Sequence, residues 1–214
     1  KEIIINAKKM VVKGKGILAA DESNPTCSKR FEALGIPSNS DTRNEYRDLL
    51  LTTDGIEKYI SGVIMIDETF KQNTTCNDRV SFITHLKSLD ILPGIKVDKG
   101  VKNLAGFDDE VITEGLDGLR DRLVEYYRLG ARFAKWRAVI KIGAEKPSLG
   151  AITSNAHSLA RYASLCQESG LVPIVEPEIL MDGNHSIDEC YDMTGKTLSI
   201  VFDQLNMLKV NLKG

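Results

Sequence analysis

Five short apolar runs, each passing straight into charged residues and separated by amphipathic stretches, limit what this chain can fold into. Gly14-Lys15-Gly16 leads into Ile17-Leu18-Ala19-Ala20, which stops at Asp21-Glu22-Ser23. Ile60 to Ile66 stops at Asp67-Glu68-Thr69, and Leu92 to Val97 at Asp98-Lys99-Gly100. Arg132-Phe133-Ala134 leads into Lys135-Trp136-Arg137, and Leu171 to Val175 into Glu176. Between these candidate strands, apolar residues recur at helical spacing. Leu119, Leu123, Tyr126 and Tyr127 form one such set, with Gly130 as a C-cap. Leu159, Tyr162, Ala163 and Cys166 form a second, ending at Gly170. A third runs from Ile187 to Leu205, with Ser186 and Glu189 spaced as a capping box. Strands alternating with helices predict parallel βαβ units. A strand every roughly 30 to 45 residues fits the pitch of a (β/α)8 barrel.

The run Val172-Pro173-Ile174-Val175-Glu176-Pro177-Glu178 carries the sharpest chemical signal. Residues two apart on a strand point the same way, so Glu176 and Glu178 share one side of the backbone. Pro177 has no N–H and is expected to stop sheet pairing there. Two like charges beside apolar walls are expected to push at least one carboxyl pKa upward, toward general acid–base work. The plainer possibility is a strand end capped by solvated charge. Lys135 and Arg137 have the same spacing around Trp136, so both cations face one way; their plainer role is a structural pairing with the acids.

In a barrel of this kind the chemistry sits at the C-terminal strand ends. Those ends here carry Asp21, Glu68, Asp98, Lys99, Lys135, Arg137, Glu176 and Glu178. They are expected to converge on one rim, with Glu68 the weakest member. Cations at such a mouth suit an anionic substrate, phosphate above all.

Composition excludes several classes. Net charge is −2, which gives no electrostatic reason to bind nucleic acid or an anionic membrane. No apolar run approaches the roughly 20 residues that span a bilayer. The four cysteines are scattered without a C-x-x-C pair and read as free thiols of a reducing cytosol. His185 and Glu189 stand four apart, but as ordinary residues at a helix start rather than metal ligands. Gly14-Lys15-Gly16 lacks the remainder of a P-loop, and Gly100 opens no dinucleotide fingerprint.

Four runs together resemble a known family: Gly14 through Ser23, Gly94-Ile95-Lys96-Val97-Asp98-Lys99-Gly100, Phe133-Ala134-Lys135-Trp136-Arg137, and Val172 through Leu180. The chain is similar over nearly all its length to the class I fructose-1,6-bisphosphate aldolases. That resemblance implies a TIM barrel of which residues 1–214 cover about the first five βα units, as one incomplete domain. It implies metal-free, cofactor-free cleavage of fructose 1,6-bisphosphate to dihydroxyacetone phosphate and glyceraldehyde 3-phosphate in glycolysis and gluconeogenesis. A lysine attacks the ketose carbonyl to form an iminium that accepts charge as the carbon–carbon bond breaks.

By resemblance, Asp21 orients the lysines and handles a substrate hydroxyl proton. Lys99 and Lys135 polarise the carbinol and bind phosphate or hydroxyls, and Arg137 is a phosphate-side cation. Glu176 is the general acid/base, and Glu178 its buried neighbour. Arg30 and Arg43 contact substrate; the plainer role for both is an exposed helix arginine. The Schiff-base lysine is expected a few residues beyond Val210-Asn211-Leu212-Lys213-Gly214, so the 214 residues alone are expected to be inactive. The resemblance further implies a cytoplasmic homotetramer. Its alternative to the enzyme is a non-catalytic fragment that retains binding to actin or another cytoskeletal partner.

Overall fold

The computed structural model describes residues 1–76 and 79–214. In chain order they form α1 (Glu2–Met10), β1 (Gly16–Ala20), α2 (Asn24–Glu32), α3 (Ser40–Leu51), β2 (Ile60–Met65), α4 (Asp67–Phe70), α5 (Phe82–Ser88) and β3 (Leu92–Lys96). There follow β4 (Val101–Asn103), β5 (Val111–Thr113), α6 (Leu119–Leu129), β6 (Phe133–Ile140), α7 (Leu149–Glu168), β7 (Val172–Ile179) and α8 (Ile187–Met207). The long strands lie in the order β1-β2-β3-β6-β7, which is their order in sequence once the β4–β5 hairpin is set aside. That is the succession expected of parallel βα units, with the helices as crossovers. No helix among the described residues is long and apolar enough to cross a membrane.

The chain divides into two units: residues 1–96 with 126–134, and residues 97–125 with 135–214. In the first, β1 pairs parallel with β2 and β2 with β3, in register Ala20↔Met65 and Met65↔Ile95. Five of the six β2 residues are buried, as a strand covered on both faces requires. Phe133, fully buried at the start of β6, fills the space left by two glycines. A Cβ on Gly94 would lie 2.1 Å from the Phe133 ring, and one on Gly62 2.9 Å from it. α3 starts on Asn39, whose side chain accepts from the N–H groups of Asp41 and Thr42 while Thr42 Oγ1 accepts from Asn39 N–H.

In the second unit, β4 and β5 form an antiparallel hairpin, with Val101 opposite Thr113. Asn155, a buried polar residue on α7, secures it: its amide nitrogen donates to Val111 O at 2.8 Å, and its oxygen accepts from Thr113 N–H at 3.2 Å. α7 packs on α8 and β7 and buries Ala151, Ala156, Leu159, Ala160 and Ala163, and α8 buries Val201 and Leu205. The Ser186–Glu189 capping box at the start of α8 forms as its spacing predicts.

Two expectations about strand ends need correcting. β6 does not stop at Ala134; it carries Lys135, Trp136 and Arg137 inside the strand and continues to Ile140. β7 does not stop at Pro177 but runs to Ile179, and Leu180 N–H still donates to Ile140 O at 2.9 Å. Proline removes one donor only, and β7 stands last in the strand order, where an edge tolerates that loss. Charge does not stop a strand whose charges alternate with buried residues, as Lys135 and Arg137 do with Trp136.

Candidate active site

β6 and β7 are neighbours in the sheet, and each offers a pair of charges two residues apart. Lys135 Nζ lies 3.4 Å from Glu176 Oε2, and Arg137 Nε donates to Glu178 Oε2. Both pairs have the same sequence offset, so one register aligns both cations with both acids. The pairs differ in depth. The Lys135 side chain is 11% exposed, whereas those of Arg137 and Glu178 are 40% and 38% exposed. Trp136 turns the other way, fully buried, with its ring 5.5 Å from that of Tyr162. Asp98 and Thr113 hold the backbone of Arg137 from both sides: Arg137 N–H donates to Asp98 Oδ2 at 3.4 Å, and Thr113 Oγ1 donates to Arg137 O at 2.8 Å.

This geometry changes the expected electrostatics. The Arg137 hydrogen bond, with the Arg137 and Lys135 charges, holds the Glu178 carboxyl below its ordinary value. Glu178 therefore moves opposite to the shift expected for two crowded carboxylates, because each acid has its own cation across the strand. Nor is Glu178 the buried neighbour that the resemblance implied: it is half exposed, and Lys135 is the buried member of the four.

Lys99 lies past the end of its strand. β3 ends at half-buried Lys96, and Lys99 lies three residues on, exposed, with its N–H donating to Glu114 O at 2.8 Å. Its side chain lines a polar cleft with Glu114, Asp117, Ser158 and Arg161. The strand-end cation on β3 is Lys96, a position that sequence reading passed over because it sits inside the apolar run.

In the first unit Asp21 follows β1 directly and is buried. Next to it, Glu22 is the centre of a four-donor network. Arg47 Nη1 donates to Glu22 Oε2 at 2.7 Å, Arg47 Nη2 to Glu22 O at 2.8 Å, Tyr46 OH to Oε1 at 2.9 Å, and Arg30 Nη1 also to Oε1. Burial pushes the Glu22 carboxyl up, but its own backbone N–H, Arg47, Tyr46 and Arg30 together outweigh it and hold the group below its ordinary value. Arg43 meets Glu68 side-on, Nε to Oε1 and Nη2 to Oε2, each at 2.7 Å. Asn24 adds a third donor to Glu68 at 3.3 Å. Thus Arg43 is mostly buried, while Arg30 remains 55% exposed on α2. Glu68 is a full partner in this cluster. Arg47 and Glu22 are the members that sequence reading missed; the available signal was Arg47 standing four after Arg43, on one face of α3.

Comparison with known proteins completes the picture. The family model described as fructose-bisphosphate aldolase class-I matches residues 2–214. The chain belongs to that family. This aldolase chain is 56% identical over 208 residues to a probable fructose-bisphosphate aldolase class 1 of Xanthomonas campestris, covering 97% of this chain and 62% of the relative. It is 50% identical over 213 residues to the cytoplasmic isozyme of Spinacia oleracea, covering 100% of this chain and 59% of that one. Among solved structures, the Plasmodium falciparum fructose-bisphosphate aldolase, in complex with TRAP and a small molecule inhibitor, matches with a TM-score of 0.95 at 49% identity. That match covers 99% of this chain and 61% of the other. The aldolase chain thus spans about three-fifths of the length of these relatives. Its fold is the five-stranded parallel first part of the aldolase TIM barrel.

Proposed function

We propose that this chain supplies the acid–base and phosphate-binding part of a class I aldolase that cleaves fructose 1,6-bisphosphate to dihydroxyacetone phosphate and glyceraldehyde 3-phosphate. The observation that carries the reading is the Lys135–Glu176 pair on adjacent strands, a buried ammonium against a carboxylate with access to solvent. Glu176 moves the proton, and Lys135 stays cationic beside it, fixing the carboxylate and attracting substrate oxygens. Arg137 is the phosphate-side cation, and Arg43 and Arg30 contact substrate, Arg30 being the most exposed of the three guanidiniums. Asp21, buried at the end of β1, takes a substrate hydroxyl proton. Lys99, exposed on its polar cleft, binds phosphate or hydroxyls.

The nucleophilic lysine belongs to sequence outside these 214 residues, so the segment alone has no lyase activity. Residues 1–214 then form one incomplete barrel domain. The whole protein is read as a cytoplasmic homotetramer; the location is supported by relatives named as cytoplasmic or cytosolic aldolases. The test is turnover by the full-length protein in excess chelator. Cleavage that survives metal removal supports the class I reading. A full-length protein that cleaves only with added zinc, or not at all, would overturn it.

A further inference from the structure

Asp21 lies one residue past β1 and is buried there. The next residue, Glu22, is held by Arg47 at both its main chain and its side chain. The Arg47 side chain is 2% exposed, against 15% for Arg43 on the same helix. A guanidinium so buried is costly unless its donors are matched. Here two are spent on a single residue, one on the Glu22 carboxylate and one on the Glu22 main-chain carbonyl. The same nitrogen reaches Cys27 Sγ at 3.5 Å, and the guanidinium lies 5.1 Å from the Tyr46 ring centroid. Tyr46 in turn donates to Glu22 and packs edge-on against Phe31.

We infer that Arg47 is a positioning residue: by clamping both the main chain and the side chain of Glu22, it fixes where the adjacent Asp21 carboxylate stands. This rests on the proposed role of Asp21. A planar, two-armed donor is needed for the clamp. Lysine could keep the charge beside Glu22 but cannot deliver two diverging N–H groups from a fixed fork.

The experiment uses the full-length protein with Arg47→Lys and Arg47→Ala. It compares kcat, KM and the number of sites trapped by borohydride with dihydroxyacetone phosphate. A misplacement of about 1 Å at a reacting group costs on the order of 10²-fold. The Lys variant is expected to trap at wild-type stoichiometry, with KM within about twofold and kcat down roughly 10- to 100-fold. Guanidinium ion is expected to restore part of the kcat of the Ala variant. Unchanged kcat per trapped site in the Lys variant would overturn the inference while leaving the enzyme reading intact. So would a loss that only follows the unfolded fraction and ignores guanidinium. If the Ala variant fails to fold, the Lys variant decides alone. Wild-type protein that neither traps nor cleaves would overturn the enzyme reading, and this inference with it.

Discussion

At the scale of single residues, arginines pair with the carboxylates near the strand ends: Arg43 with Glu68, Arg47 with Glu22, and Arg137 with Glu178. The Arg43 hydrogen bonds hold the Glu68 carboxyl below its ordinary value of 4.5. A depressed folded-state pKa adds stability above the unfolded-state value, and that stability is lost as pH falls through the folded value. Acid unfolding of wild-type protein below about pH 4.5 should therefore include a Glu68 component. In Glu68→Gln, denaturant midpoints measured from pH 6 downward should fall less steeply; an unchanged slope would mean that the pair gives no pH-dependent stability. Glu176→Gln tests the other carboxylate. The amide is nearly isosteric but cannot shuttle a proton, so the full-length variant should keep its fold and lose ~10²–10⁴-fold in turnover. Near wild-type turnover would make Glu176 structural. Glu176 and Lys135 could be read in the sequence because strand periodicity aims alternate side chains the same way. Glu22 and Arg47 could not: a helix arginine looks solvated until its partner, 25 residues away, is folded against it.

At the scale of elements, the close approach of Phe133 to β2 and β3 is the most exposed point of the packing. Gly94→Ala places a methyl inside the ring's volume, so it should destabilise by at least ~1–3 kcal/mol, with Gly62→Ala milder. Phe133→Leu should relieve part of the Gly94→Ala loss, and a denaturation double-mutant cycle reads that coupling directly. Independent additivity would show that the Gly94→Ala loss does not come from the Phe133 ring. The sequence announced β1, β2, β3 and α8, because their apolar runs and caps are local signals. It did not announce the β4–β5 hairpin, whose strands are three residues each and whose hold on α7 comes from Asn155, more than forty positions along the chain. It also misplaced the ends of β6 and β7. Charged residues read as stops in sequence, whereas the neighbouring strand supplies each with a counter-charge and lets the strand continue.

At the scale of the molecule, alternating strands and helices were enough to expect a parallel α/β barrel, and the motifs enough to expect the aldolase family. The division of labour inside that fold is the central claim: acid–base and phosphate-binding groups here, the amine nucleophile in sequence beyond Gly214. Borohydride trapping with fructose 1,6-bisphosphate, followed by peptide mass mapping, measures it. Full-length protein should gain one substrate-dependent adduct on a lysine beyond Gly214, and the isolated 214 residues should gain none. A stoichiometric adduct on Lys135 or Lys99 of the isolated segment would contradict the claim and move the nucleophile into this chain.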